Sequence, residues 1–189
     1  SSVTDMTNIF SGASAFDKEI RGWDVTSETN FTDMFNGSTA FNTLYSPPTP
    51  VTVSFFILPI TNSNIKTAVN AWIADSIAAT STYGDISGWN TSLVTDMSEL
   101  FKDKTTFNSD ISAWDVSSVT NMSYMFHGAY AFDQDIGSWD VSSVTTMERT
   151  FSYAVAFNQN INTKVVTVDG IEYTAWNVSL VTDMSFMFN

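Results

Sequence analysis

Residues 110–132, DISAWDVSSVTNMSYMFHGAYAF, are followed by residues 135–157, DIGSWDVSSVTTMERTFSYAVAF. The same line runs as DISGWNTSLVTDMSELFKDKTTF over 85–107 and as EIRGWDVTSETNFTDMFNGSTAF over 19–41. Partial copies occupy 1–16 and 176–189. Trp89, Trp114 and Trp139 stand 25 residues apart. A fixed period of this length marks a repeat architecture, in which one unit cannot bury its flat apolar faces without a neighbour. Five of the six Trp and all eight Met fall on repeat positions, which reads them as core residues and not as a cofactor box.

Within one unit, Ile111, Trp114, Val116 and Val119 have the spacing of a leucine-rich repeat. Trp114 and Val116 alternate with Asp115 and Ser117, the period of a short strand. Met122, Met125, Phe126 and Ala129 then fall at i, i+3, i+4 and i+7, one face of a short helix. Thr120 or Asn121 is placed to cap it, and Asp5, Asn30, Asp96, Thr146 and Asp183 stand at the position of Asn121. Phe132 closes the coil from the next corner. The spacing predicts an α/β repeat: a leucine-rich-repeat-like right-handed solenoid of ~25-residue coils, with short parallel strands and short helices.

The line WDVSSVTNMSYMFHGAYAFDQDI, residues 114–136, resembles the repeat of BspA-like surface proteins. That family takes in the lipoprotein-type repeats of mycoplasmas and Listeria and many copies in protists. The resemblance covers about three-quarters of the chain. It implies a leucine-rich-repeat-like solenoid on extracellular proteins and no catalytic residues. Two residues depart from the line: Glu28 stands at the position of Val119, and Thr150 at that of Met125. The coil containing Trp23 is therefore expected to pack less well.

Two insertions break the period. Residues 43–50, TLYSPPTP, read as a proline-rich linker. Val51, Val53 and Phe55 alternate as a strand that Pro59 ends. Asn62 to Asn64 are cap candidates for a helix carrying Ile65, Val69, Trp72, Ile73 and Ile77, which ends before Gly84. Residues 64–89 also resemble the segment that opens repeat arrays in BspA-like proteins of protists. The expected organisation is the end of one array over 1–42, a linker over 43–50, a strand and capping helix over 51–84, and a second array over 85–189. The second insertion, 163–174, reads as a β-hairpin of 165–168 and 171–174 around Asp169-Gly170, a type I′ turn signal.

Composition narrows the function. The net charge of −13 argues against binding a phosphate backbone, so no nucleic acid is expected as partner. No cysteine means no disulfide, thiolate metal site or thiol catalysis, and the single histidine, His127, leaves no two-His metal motif. The longest apolar stretch, 51–60, is too short to span a bilayer. Asp24, Asn90, Asp115, Asp140 and Asn177 form one polar column, with Thr26, Ser92, Ser117, Ser142 and Ser179 beside it. Asp24, Asp115 and Asp140 supply the oxygen ligands a Ca²⁺ ion takes; the rival reading is a solvated face with hydrogen bonds along the column. Acid–base pairs would be Asp133 with Asp135 or Asp110 with Asp115, but a residue present in every repeat is there for stacking. His127 occupies a variable position and is expected to face solvent. Glycan acceptors are Asn30, Asn36, Asn90, Asn121 and Asn177 in sequons, Asn36 the best exposed by pattern, and Thr49 among prolines.

The sequence has no initiator Met, and both of its limits cut the repeat line. This leads us to expect a stretch of a longer chain, or copies that abut end to end as a filament. The expected role is a non-enzymatic extracellular structural or surface protein without cofactor, whose partners are further repeats or copies and glycan. The alternative is an adhesion or ligand-binding module that uses the polar Asp/Ser/Thr face.

Overall fold

A computed structural model describes residues 3–23, 25, 29–168 and 170–189, the side chains of Val53 and Ser54 excepted. Asp24, Thr26, Glu28 and Asp169 lie outside the described residues. Its contacts divide the chain into two compact units: Ser1–Leu58 with Thr80–Gly84, and Pro59–Ala79 with Asp85–Asn189.

In the second unit successive repeats are joined by backbone hydrogen bonds. The amides of Met122, Tyr124, Phe126 and Gly128 donate to the carbonyls of Thr146, Glu148, Thr150 and Ser152 at 2.8–3.1 Å. The alternate amides, of Met125, His127 and Ala129, close turns on Met122, Tyr124 and Phe126 at 3.0–3.1 Å. Met97, Glu99, Phe101 and Asp103 pair with 121–127 in the same way, and Met147, Arg149, Phe151 and Tyr153 with 183–189.

This pattern overturns the expected α/β solenoid. An α-helix directs its amides along its own axis to residue i−4, whereas here every second amide leaves the segment for the next repeat. The backbone permits this because Tyr124 (φ 59°) and Gly128 (φ 68°) are left-handed. The predicted helix is therefore a run of overlapping four-residue turns, 122–125, 124–127 and 126–129. A four-residue turn and a 3.6-residue turn produce nearly the same i, i+3, i+4, i+7 spacing, so Met122, Met125, Phe126 and Ala129 are buried either way. The predicted parallel strand does not form among the described residues either. Tight turns at Ile111–Trp114 and Val116–Val119 flank the Trp-x-Val stretch, and between repeats only single parallel bridges form, Asp96 to Asn121 to Thr146 to Asp183. Asn121 makes its predicted capping bond, accepting from the Ser123 amide at 3.0 Å, but caps a turn.

The elements that form among the described residues lie in or beside the insertions: α1 (Thr39–Tyr45), α2 (Ile65–Ala74), α3 (Ser76–Tyr83), β1 (Lys164–Val168) and β2 (Ile171–Ala175). The expected single helix reaching Ile77 is broken at Asp75. Its backbone is extended, and its Oδ1 accepts from the Ile77 and Ala78 amides at 3.1 and 3.0 Å, so a new helix starts there. Strands β1 and β2 pair antiparallel from Lys164–Ala175 to Val168–Ile171. Gly170 has φ 79°, as the turn signal requires.

Side-chain columns fill the second unit. The Phe101, Phe126 and Phe151 rings lie nearly parallel at 5.3 and 5.5 Å. Trp114, Trp139 and Trp176 donate their indole N–H to the carbonyls of Ile86, Ile111 and Ile136. Ile65, Ala68 and Val69 of α2 are buried, and Trp72 meets Trp89 edge-on at 6.4 Å.

The first unit has its own core of Met6, Ile20, Phe31, Met34, Phe35, Phe41, Phe55 and Phe56. The predicted strand at 51–55 is a 3-10 helix, Val53–Phe56, which sets Phe56 on Phe31 at 5.0 Å and Phe55 against Phe35 at 5.8 Å. Trp23 is 37% exposed, where Trp114 and Trp139 are 3% and 2%, while Ile20, Met34 and Phe41 of the same repeat are buried; the looser packing is confined to Trp23 among the described residues.

Left-handed backbone costs a non-glycine residue roughly 1–2 kcal/mol. Asp103 (φ 58°) is exposed and stands where Gly12, Gly37 and Gly128 stand in other repeats. Asp103→Gly is expected to raise stability by about 0.5–1 kcal/mol, read as a later midpoint in urea.

Candidate functional site

The polar column is a column of turns. Asn90, Asp115, Asp140 and Asn177 each accept, through Oδ1, the amide of the serine two residues on, at 3.0–3.1 Å. Ser92 and Ser117 add their hydroxyls at 2.7 and 2.6 Å. One oxygen suffices for this bond, which is why Asp and Asn alternate freely down the column. The other carboxylates proposed as acid–base partners are held in the same manner. Asp110 accepts from the Ser112 amide, Asp135 from the Gly137 amide, and Asp133 from the Asn158 amide and Gln159.

Among the described residues no group of three or more His, Asp or Glu side chains is arranged to hold a metal ion. With Asp115 and Asp140 bound to backbone amides, EDTA is expected to leave the melting temperature unchanged. A fall of several degrees that Ca²⁺ restores would establish an ion site. Asp24 lies outside the described residues.

Hydroxyl and amide hydrogen bonds from Thr7, Ser87, Ser112 and Ser185 hold Asp5, Asp85, Asp110 and Asp183 below the ordinary aspartate pKa of 3.8. A pKa depressed by folding stabilises above the unfolded value, and that stability is lost as pH falls through the folded value. Stability is therefore expected to fall on acidification below about pH 4. Asp110→Asn, which keeps the acceptor oxygen but does not titrate there, should lessen the fall in an acid melting series.

One place on the repeated face is distinct. A cavity of about 380 Å³ lies between the hairpin and two neighbouring repeats, walled by Trp114, Asp115, Asp140, Val168, Ile171 and Tyr173. The Tyr173 hydroxyl donates to the Ser138 carbonyl at 2.6 Å and ties β2 to the repeat. Burial raises the Tyr173 pKa, and Asp140 and Asp115 raise it further. The arrangement offers two carboxylates and a phenol beside exposed aliphatic groups, suited to a ligand with an apolar body and hydrogen-bond donors. Reading each repeat by itself misses this site. The available signal was the place of the insertion, one repeat after Trp139.

The sequon residues differ in how they are held. Asn30, Asn90, Asn121 and Asn177 accept an amide through Oδ1, and Asn121 and Asn177 are half-buried. Asn36 and Thr49 are exposed. His127 is not simply solvent-facing. Its ring is half-buried between Tyr124 and Tyr153, with centroids at 5.6 Å from each, and Nδ1 is buried without a partner. No helix among the described residues is long and apolar enough to cross a membrane.

Comparison with the curated proteins gives no match, and comparison with the solved structures gives none. A family described as "Mycoplasma protein of unknown function, DUF285" matches residues 1–47 and 67–189. The match takes in the repeat lines and leaves out only the stretch between, and the chain belongs to that family.

Proposed function

We propose that the protein is a non-enzymatic structural repeat protein of the BspA-like kind, displayed outside the cell or at its surface. The observation that carries this reading is the use to which the repeated polar residues are put. At Asn90, Asp115, Asp140 and Asn177 the same oxygen makes the same turn bond. Such residues hold the same turn in each repeat, whereas a catalytic pair needs one pocket set apart from the rest. Antibody labelling of intact source cells tests the location. Signal without permeabilisation is expected; labelling that appears only after permeabilisation overturns the reading.

A second reading, adhesion or ligand binding at the polar face, is favoured by the cavity beneath the hairpin. Adherence of the purified chain to cells, abolished by Tyr173→Ala with the fold intact, would select it.

A further inference from the structure

Four backbone amides in the first unit have no acceptor among the described residues. Met6, Asn8, Phe10 and Gly12 donate to the carbonyls of Asn30, Thr32, Met34 and Asn36 at 2.7–3.0 Å. One repeat later the same row falls on Phe31, Asp33, Phe35 and Gly37, with Asp33 and Gly37 again left-handed. Among the described residues none of these four amides is hydrogen-bonded. The equivalent rows that start at Met6, Met97, Met122 and Met147 are all satisfied by the next repeat.

The row opens into a cavity of about 760 Å³, walled on its other side by Ser46, the three prolines and Val51. The core behind the row is closed by Phe55 and Phe56, and among the described residues no carbonyl accepts from the row. The opposite faces of these turns are already committed. The Met34 carbonyl accepts from Phe10, and the Phe35 carbonyl from Ser38 and from the Asn42 side chain at 3.0 Å.

We propose that this groove binds a peptide segment with the repeat's overlapping-turn backbone, contributed by another polypeptide that carries the same repeat line. Its alternate carbonyls accept from Phe31, Asp33, Phe35 and Gly37, and the contact continues the interface that joins repeats within this chain. Exposed sheet edges take up added strands through main-chain bonds, and this row offers the same kind of unpaired donors. An anion is the poorer occupant: no Lys or Arg lines the groove, and Asp33 sits in the row itself. The proposal does not depend on where the protein resides, so it stands or falls separately from the proposed function.

The test is amide-resolved NMR of the full chain, titrated with a synthetic peptide of residues 118–130, SVTNMSYMFHGAY. The four amides are expected to exchange freely with solvent in the free protein. On peptide addition their signals should shift together and their exchange slow by roughly tenfold or more. Thr49→Trp, which fills the groove from its far wall, should melt like the parent and lose the response. Four amides already protected in the free chain overturn the proposal. So does an equal response to a scrambled peptide, a response to phosphate or an oligosaccharide in place of the peptide, or no shift at millimolar peptide. The exchange measurement on the parent protein needs no variant to fold.

Discussion

Trp114→Ala is expected to destabilise the protein by about 3–5 kcal/mol in chemical denaturation. Trp114 is 3% exposed and stacks nearly parallel on Trp89 at 5.9 Å. Its truncation leaves a cavity that neighbours on both sides are too constrained to fill, because each is held by its own repeat. It also removes the shorter of the two hydrogen bonds on the Ile86 carbonyl, which accepts the indole N–H at 2.8 Å and the Trp89 amide at 3.4 Å. Loss of that hydrogen bond accounts for about 0.5–1.5 kcal/mol of this total. Trp114→Phe separates the two effects. It keeps most of the ring and loses the hydrogen bond, and should cost about half as much as the alanine variant. A Trp114→Ala protein as stable as the parent would refute the stacked core.

Phe126→Ala should have a comparable cost, about 3–5 kcal/mol. The ring is fully buried and has aromatic neighbours on every side: Phe132 at 4.0 Å, Phe101 at 5.3 Å, Phe151 at 5.5 Å and Trp139 at 6.3 Å. Three of these belong to adjacent repeats, Phe101 to the preceding one and Trp139 and Phe151 to the following one, so the variant weakens two interfaces at once. In a stack where each unit contacts only its neighbours, a central lesion is felt on both sides. Tyr130→Ala, at a side chain 51% exposed on the same repeat, is the control. It should change stability by no more than about 0.5 kcal/mol. Equal effects of the two substitutions in urea unfolding would sink the assignment of Phe126 to the core column.

The proposed functional site divides in the same manner as the core. Asp115 and Asp140 are visible in the sequence as members of a column, and their turn bonds follow from the residue type two positions before a serine. Tyr173, Val168 and Ile171 reach that column only because β2 is tied down at Ser138. No spacing rule connects Tyr173 with Ser138, 35 residues away and outside the insertion.

Sequence alone determined the period, the membership of the apolar columns, the capping oxygens at Asp5, Asn30, Asp96, Asn121 and Asp183 though not what they cap, and the hairpin around Gly170. Each of these rests on local chemistry or on exact recurrence, which needs no knowledge of neighbours. Tertiary structure decided what the repeat is made of. The burial pattern of Met122, Met125, Phe126 and Ala129 is shared by a helix and by overlapping four-residue turns. The choice between them was made by the carbonyls of the next repeat, which draw off every second amide and hold Tyr124 and Gly128 in the left-handed region. A helix that keeps its amides to itself cannot be joined to its neighbours by main-chain bonds; these turns can, and the stacked repeat is stabilised through them.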